Sequence, residues 1–331
     1  MDLDAYTAAR SADWDRLAQL AKRRRLDGKE ADELIDLYQS GASDLSAIKT
    51  IAGSTATGDR LSLALASARL KFTGAGANLF SMLPRFFVYQ LPAALYRIRW
   101  VVLAVALATV VVATLYAVWI TGNPEVLRNF GTDAQLRRYV EHDFIDYYSN
   151  NPAASFSGQV WTNNAWIAAQ CIAFGITGVY VPFVLLQNAI GVGTAAGVMF
   201  AYGRGDVMFS YILPHGMLEL TSVFVAAAAG LRIFWAWIAP GARTRAQALA
   251  EDGRALFTVA VGCAISLFVS GLIEGFVTPS ALPVWAKIAI GALALAAFLA
   301  YMLVLGRRAV RLGETGDLTE YESGSRRVVA G

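Results

Sequence analysis

A PHGMLEL stretch that contains His215 and Glu219 carries acid–base and metal-ligating residue types inside an apolar part of the chain. The two residues are four apart, so a helix places both on one face. Glu274 lies in a later apolar segment, and Asn163 and Asn164 open an earlier one. Counting along the segments brings all of these groups to a similar depth. The sequence does not require them to meet, but polar groups inside a membrane need partners, which favours their contact.

Three kinds of chemistry suit this polar cluster. A metal site would use His215, Glu219 and Glu274 as ligands, but the second histidine, His142, lies in a separate acidic segment. A transport or ion-coupling site would use the same groups at the mouth of a path through the membrane. A hydrogen-bond network that fixes helix packing is the favoured interpretation. HExxH, GxSxG and Walker signatures are absent from the sequence, so we assign no catalytic residue, no metal and no cofactor.

The composition of the chain excludes a large soluble enzyme. Of its 331 residues 56% are hydrophobic and 16% are charged, against about 25% charged in a typical soluble domain. Charge is concentrated in residues 1–75, whereas several later segments are almost free of it. The net charge of +3 is too small to indicate nucleic-acid binding. These features predict an all-α polytopic helical membrane bundle with a small polar helical domain at its N-terminus.

About six transmembrane helices fit the apolar segments, since one span needs about 20 apolar residues. The expected spans are residues 100–120, two within 164–203, then 211–238, 256–276 and 284–305. The two spans within 164–203 are divided either at Tyr180–Pro182 or at Gln187–Gly191. Arginines flank the first, fourth and sixth spans on one side, which the positive-inside rule makes cytoplasmic. Both termini are therefore expected in the cytoplasm, and the loop 121–160, with five acids and three bases, is expected outside.

The regions around the spans divide into four parts. Residues 1–77 are expected to form a cytoplasmic helical domain, and residues 306–331 a cytoplasmic tail. Residues 78–99 are rich in aromatic residues and interrupted by prolines, which favours an amphipathic segment in the membrane interface. The alternative is an extension of the following helix. The transmembrane domain then runs over residues 100–305.

The loop 121–160 contains a helical pattern from Asp133 to Tyr148 with one apolar face. A short amphipathic helix resting on the outer leaflet is the first interpretation of this pattern. A docking surface for a partner outside the membrane is the second.

Small residues at helical spacing predict close helix crossings. Gly193 and Gly197 form one such pair, and Gly271 and Gly275 form another. Asn188, with the nearby proline and glutamine, marks a place where a helix can break. A broken helix can line a substrate path, but more often it is a kink whose freed backbone groups find partners.

The chain resembles the stage II sporulation protein M family of bacterial membrane proteins. The resemblance runs from about Trp14 to Leu305 and is most specific at the PHGMLEL stretch. Further matching positions are Trp14, Leu17, Leu20, the ELIDLY stretch from Glu33 to Tyr38, Ser43, Asp44, Leu45, Pro84, Asn163, Asn164, Gly175, Gly178, Asn188, Gly191, Pro214, His215, Gly216, Glu219 and Gly230. Ala189 departs from the family pattern, in which glycine often follows the asparagine.

The resemblance implies a non-enzymatic role. Named members of the family are membrane scaffolds in an assembly that recruits cell-wall hydrolases during forespore engulfment. Many relatives have an added N-terminal helical domain and occur in bacteria that do not sporulate. Some accompany RDD-type membrane proteins and MoxR-type ATPases. We therefore expect a scaffold or subunit of an envelope complex in the cytoplasmic membrane, as a homodimer or in a larger assembly. Its expected partners are the lipid bilayer, other envelope membrane proteins and a cytosolic ATPase.

Two alternatives to the scaffold stay open. The first is a transporter or channel in which His215, Glu219, Glu274 and Asn164 bind a solute or ion near the outer face. The second, weaker one is an intramembrane metal-dependent hydrolase that uses the same histidine and carboxylates.

Overall fold

The structure, a computed structural model, describes residues 3–23, 26–53, 55–72, 83–149 and 153–317. Throughout these residues the chain forms helices and no strand, which confirms the all-α fold class. The chain divides into two compact units, one formed by the N-terminal residues up to Leu83 and one that begins at Pro84.

The N-terminal unit is built from three helices: α1 (Leu3–Lys22), α2 (Gly28–Ala52) and α3 (Ala56–Phe72). Asp27 caps α2 by accepting a hydrogen bond from the backbone N–H of Glu30, whose side chain bonds back to Asp27. Such a reciprocal cap satisfies two backbone donors and sets the start of the helix. One apolar stripe of each helix forms a common core of Trp14, Leu17, Leu20, Ala21, Leu34, Ile48, Leu61, Leu65 and Ala68.

A buried carboxylate ties α1 to α2 within this core. Asp44 on α2 is only 4% exposed. It accepts hydrogen bonds from Tyr6 Oη at 2.7 Å and from Trp14 Nε1 at 2.9 Å. Arg10 lies 4.0 Å from the same carboxylate. A buried charge is stable only when its hydrogen bonds are made, so the two aromatic donors and Asp44 depend on one another.

The second unit contains the membrane helices. In chain order its helices are α4 (Leu91–Arg97), α5 (Arg99–Gly122), α6 (Pro124–Arg128), α7 (Asp133–Arg138), α8 (Phe144–Ser149), α9 (Ala153–Ala173), α10 (Tyr180–Ala201), α11 (Gly205–Ile238), α12 (Arg245–Val277) and α13 (Val284–Arg311). Helices α5, α10, α11, α12 and α13 are long and apolar enough to cross a membrane. The chain is therefore a multi-pass membrane protein.

Among the described residues there are five such helices, against about six expected from the sequence. The difference lies in the block in which two spans were expected. Helix α9 has 21 residues, which is enough to span, but glutamines and asparagines along it lower its hydropathy. Helix α9 nevertheless packs in the bundle, since Ala168 and Cys171 belong to the same buried core as α11 and α12.

Helix α9 ends in a tight turn before α10. After α9 the chain makes a short 3₁₀ turn, Gly175–Thr177, and Gly178 adopts a φ of +72°. This turn lies just before Tyr180, close to the first of the two expected dividing points. The second, Gln187–Gly191, lies inside the continuous helix α10, so the break expected around Asn188 is not formed.

Helix α11 is the centre of the bundle. Residues 222–230 are all buried, which means that this part of the helix is enclosed on every side. A helix that is apolar all round belongs in the interior of a structure. The run of small residues Ala226, Ala227, Ala228, Ala229 and Gly230 allows neighbouring backbones to approach closely.

The segment before the first span is partly enclosed by the bundle. A π-helical turn, Phe86–Gln90, leads into α4, and residues 91–95 are all buried. Leu91, Ala94 and Leu95 belong to the same core as α11 and α12, whereas Phe87 and Tyr89 are exposed. Placement of residues 78–99 in a membrane interface stays a prediction, and residues 78–82 lie outside the described part of the chain.

The segment after the last span is held by ion pairs. Asp317 accepts two hydrogen bonds from the guanidinium of Arg254, at 2.5 and 2.6 Å. Arg97 donates to the carbonyl of Thr315 at 2.8 Å. Residues 312–317 therefore follow the surface of the bundle instead of leaving it.

The loop 121–160 forms a small layer of helices. Helix α7 begins with a Thr132 capping box and continues through a π-helical turn, Tyr139–Asp143, into α8. Its apolar face is covered by the protein itself, because Leu136, Val140, Phe144 and Tyr148 pack with Met208 of α11 in one buried cluster. The sequence Asn150-Asn151-Pro152 predicts an end to this helix after Tyr148, and these three residues lie outside the described part of the chain.

A hydrogen bond joins this layer to the turn between α10 and α11. Tyr202 Oη donates to Asp133 at 2.8 Å, and Arg137 donates to the other oxygen of the same carboxylate at 2.9 Å. These bonds, first from Arg137 and then from Tyr202, lower the pKa of Asp133. The loop is thus fixed to the bundle by both apolar and polar contacts.

Candidate functional site

The histidine and two carboxylates singled out in the sequence meet at one end of the bundle. His215 and Glu219 lie on α11, and Glu274 lies in a π-helical turn, Ile273–Val277, within α12. One ligand atom from each residue lies within 4.8 Å of those from the other two. Nε2 of His215 is 3.8 Å from Oε2 of Glu274. A π turn inside an α-helix is frequent at functional sites.

The ring of His215 is held by α12. Nδ1 lies 3.3 Å from Oγ1 of Thr278, and that hydroxyl also reaches the carbonyl of Ile273 at 3.4 Å. Because the hydroxyl of Thr278 donates its hydrogen bond to the carbonyl, its oxygen is free to accept a hydrogen bond from an N–H at Nδ1. Ser270 adds a bond from its hydroxyl to the backbone carbonyl of His215 at 3.0 Å. These contacts fix the ring with Nε2 towards the carboxylates.

The carboxylate of Glu274 is buried and incompletely bonded. Glu274 is 3% exposed, and its Oε2 atom has no hydrogen-bond partner among the described residues. A buried polar atom without a partner costs roughly 1–3 kcal/mol, so such an atom needs an explanation.

Glu219 differs from the other two residues in its surroundings. Its side chain is only partly buried, and Asn164 of α9 is a hydrogen-bond partner of its carboxylate. Three helices therefore contribute to one polar cluster. Asn163, the residue before Asn164, is exposed.

An aromatic residue from the loop covers the cluster. The ring centre of Tyr148 lies 5.9 Å from that of His215 and 5.2 Å from that of Tyr211. Thr278, Ser270 and Tyr148 were not identified from the sequence. The sequence marked Tyr148 only as one member of an apolar helix face. Serine and threonine are common in membrane helices, so Ser270 and Thr278 did not stand out.

Close contacts at glycine residues join α13 to α11 and α12 to α9 near the histidine cluster. A Cβ atom on Gly291 of α13 would collide with the backbone carbonyl of Pro214, directly before His215. A Cβ on Gly275 would collide with Ser157 of α9, and one on Gly271 would lie 3.2 Å from the Ser157 carbonyl. The glycine pair at 271 and 275 thus faces α9. Gly216 is buried on α11 beside Ile212.

The other glycine pair lies at a different crossing. A Cβ on Gly193 of α10 would lie 2.7 Å from the carbonyl of Ala113, and one on Gly197 would lie 2.7 Å from Ile120. Both contacts join α10 to α5.

Asn188 lies apart from the histidine cluster. It lines a cavity of about 620 Å³ between α5, α10 and α11, together with apolar residues such as Val192 and Phe224. His215, Glu219 and Glu274 are not among the residues that line this cavity. Asn188 was predicted as a site residue, but the structure places it apart from the other predicted site residues.

A second polar cluster lies on α11 and α12 away from the histidine. Asp252, 7% exposed, is 3.5 Å from Arg232 and 3.3 Å from Arg243. The neighbouring Trp235 and Trp237 favour extension of Arg232 towards the inner membrane interface. In the structure Arg232 is 36% exposed and paired with Asp252.

Two families match the chain. Residues 101–279, more than half of the sequence, match a family model described as Stage II sporulation protein M. Residues 4–74 match a model described as a domain of unknown function (DUF8413), and this range covers α1 to α3. No curated protein and no solved structure matches the chain.

Proposed function

The chain belongs to the Stage II sporulation protein M family, and from this premise we propose that it is a non-enzymatic scaffold or subunit of a bacterial cell-envelope complex. It would lie in the cytoplasmic membrane with both termini in the cytoplasm, as the arginine flanks indicate. Partners would be further copies of the chain, other envelope membrane proteins and a cytosolic ATPase.

One observation carries the proposal: the N-terminal unit has its own core and yet exposes large apolar side chains. Leu63 is 70% exposed, Leu70 is 56% exposed and Ile51 is 55% exposed. Leu63 and Leu70 are seven residues apart on α3, so they share one face of that helix. Apolar side chains grouped on the surface of a polar domain are typical of protein-binding sites.

The scaffold role predicts that this face of α3 recovers partner proteins. We expect the double substitution Leu63→Ser with Leu70→Ser in the full chain to lower partner recovery roughly tenfold, because each lost apolar anchor costs more than about 1 kcal/mol. The measurement is quantitative mass spectrometry after cross-linking in cells and affinity purification. Circular dichroism of the purified variant checks that the helices are kept.

Ala12→Ser provides the control, since Ala12 is an exposed residue of the same unit on a different helix, α1. It should leave partner recovery unchanged. Equal recovery with the wild-type chain and the double variant would contradict the proposed docking face.

A transporter or channel is the second candidate, and the partial exposure of Glu219 is the observation that favours it. An ionisable side chain that is not fully enclosed within a membrane bundle is typical of ion paths. The full chain in liposomes should then show solute or ion flux that Glu219→Gln abolishes. The scaffold proposal expects no flux to lose and a wild-type set of partners for this variant.

A further inference from the structure

The three residues of the histidine cluster are of types that bind metal ions. His215 offers one imidazole nitrogen, and Glu219 and Glu274 offer carboxylate oxygens, all within 4.8 Å of one another. Imidazole nitrogen and carboxylate oxygen are donors that Zn²⁺ and related divalent ions accept. Three protein ligands with one position open for water is a common arrangement for zinc.

The distance between the two buried donors suits a shared ion better than a shared proton. Nε2 of His215 and Oε2 of Glu274 are 3.8 Å apart, which is longer than an N–H···O hydrogen bond of about 2.9 Å. Two donors that each lie about 2.1 Å from a tetrahedral ion are about 3.4 Å apart. A small movement of either side chain reaches that separation.

The unpartnered oxygen of Glu274 points to a ligand independently of the grouping. Its Oε2 atom makes no hydrogen bond among the described residues. The residue is only 3% exposed, so bulk water does not supply the missing partner. This is the same oxygen that faces Nε2 of His215. An ion between them would satisfy an atom that the protein leaves unsatisfied.

The contacts around the ligands are those that metal sites require. Metal-binding histidines usually donate their second N–H to a neighbouring acceptor, which orients the ring. Here Nδ1 of His215 is 3.3 Å from the hydroxyl of Thr278, and Asn164 orients the carboxylate of Glu219. Glu219 is only partly buried, and access for the ion is a further requirement of a metal site.

The charges also balance. Two carboxylates and a neutral imidazole carry a formal charge of −2, which one divalent cation neutralises. Enclosing two carboxylates in an apolar bundle without such compensation is costly. We propose that His215, Glu219 and Glu274 bind one divalent transition-metal ion, which clamps α11 to α12. This inference does not depend on the scaffold role, because a bound ion is compatible with either candidate function.

Zinc binding to the full chain in detergent tests the site. The tag-free protein is treated with EDTA, exposed to Zn²⁺, desalted and analysed by inductively coupled plasma mass spectrometry. We expect about one Zn²⁺ per wild-type chain and a roughly tenfold or greater loss for Glu274→Gln, which keeps the shape of the side chain but not its charge. Glu251→Gln, at the other end of α12, should bind as the wild type does.

A second variant separates metal binding from folding. Thr278→Val keeps all three ligands and removes the hydroxyl beside Nδ1, so its zinc affinity should fall roughly tenfold while the chain still folds. Wild-type affinity in Thr278→Val, or equal zinc content in the wild type and Glu274→Gln, would overturn the assignment.

X-ray absorption at the zinc edge identifies the donors. Nitrogen and oxygen neighbours at about 2.0–2.2 Å are expected for the proposed site. A sulfur shell at about 2.3 Å would instead place the ion on Cys171 or Cys263, which are both free and buried, and would overturn the proposal. A wild-type chain that retains no zinc would overturn it as well.

Discussion

Gly291→Ala should destabilise the membrane bundle by about 3 kcal/mol or more, at the upper end of what overpacking costs. The methyl group of alanine would collide with the backbone carbonyl of Pro214. A backbone carbonyl inside a helix cannot turn away as the end of a side chain can, so α13 must move away from α11. The measurement is denaturant or thermal unfolding of the full chain in detergent.

Gly191→Ala is the matched control for this prediction. Gly191 also lies inside a membrane helix, but a Cβ on it would meet no atom within 4 Å. Alanine at an open helical position gains up to about 1 kcal/mol in helix propensity over glycine. The two substitutions should therefore act in opposite directions. Unfolding of Gly291→Ala at the wild-type midpoint would show that the α11–α13 crossing is not as close as described.

Asp44→Ala should destabilise the N-terminal unit by about 3 kcal/mol. The substitution removes the acceptor of two hydrogen bonds and leaves the donors of Tyr6 and Trp14 unpaired, and a hydrogen bond to a charged group contributes about 1.5–3 kcal/mol. A unit of this size has a total stability of only about 4–10 kcal/mol. Hydrogen exchange of residues 3–72 in the full chain should become roughly a hundredfold faster.

Asp36→Ala on the same helix separates loss of the contact from loss of a charge. Asp36 is exposed, so its replacement should change stability by less than about 0.5 kcal/mol. Exchange in the membrane helices should stay at the wild-type rate in both variants. An Asp44→Ala chain that exchanges as Asp36→Ala does would show that the buried carboxylate does not stabilise the unit.

Hydropathy and helical spacing were sufficient to predict the fold class and much of the candidate site. The long apolar segments predicted a polytopic bundle, and the four-residue spacing put His215 and Glu219 on one helix face. Depth along the spans also put Glu274 at a similar level. These predictions depend only on the sequence of one helix at a time.

Features that depend on contacts between helices were beyond such reasoning. The role of Thr278 depends on which side of α12 faces α11, and Tyr148 reaches the cluster only because its loop folds back over the bundle. The second half of helix α9 was counted as part of a span because the apolar block 164–203 is long enough for two crossings. Its amides lower its hydropathy, and one of them, Asn164, bonds to Glu219.

The π turn in α12 also determines how the chain tolerates gain or loss of single residues. Ser270 and Thr278 both bond to His215, although residues eight apart on a regular α-helix differ by roughly 80° around its axis. The wider turn takes up part of that angle, because the N–H of Thr278 reaches back five residues to Ile273. Deletion of one residue other than Glu274 within residues 273–277 would restore a regular helix and leave Ser270 and Thr278 seven positions apart, which is roughly 20° around the helix axis. Loss of one residue from a regular part of α12 would instead rotate every later residue by about 100°, so the π turn is the place where α12 tolerates a change in length without moving a polar residue away from the histidine.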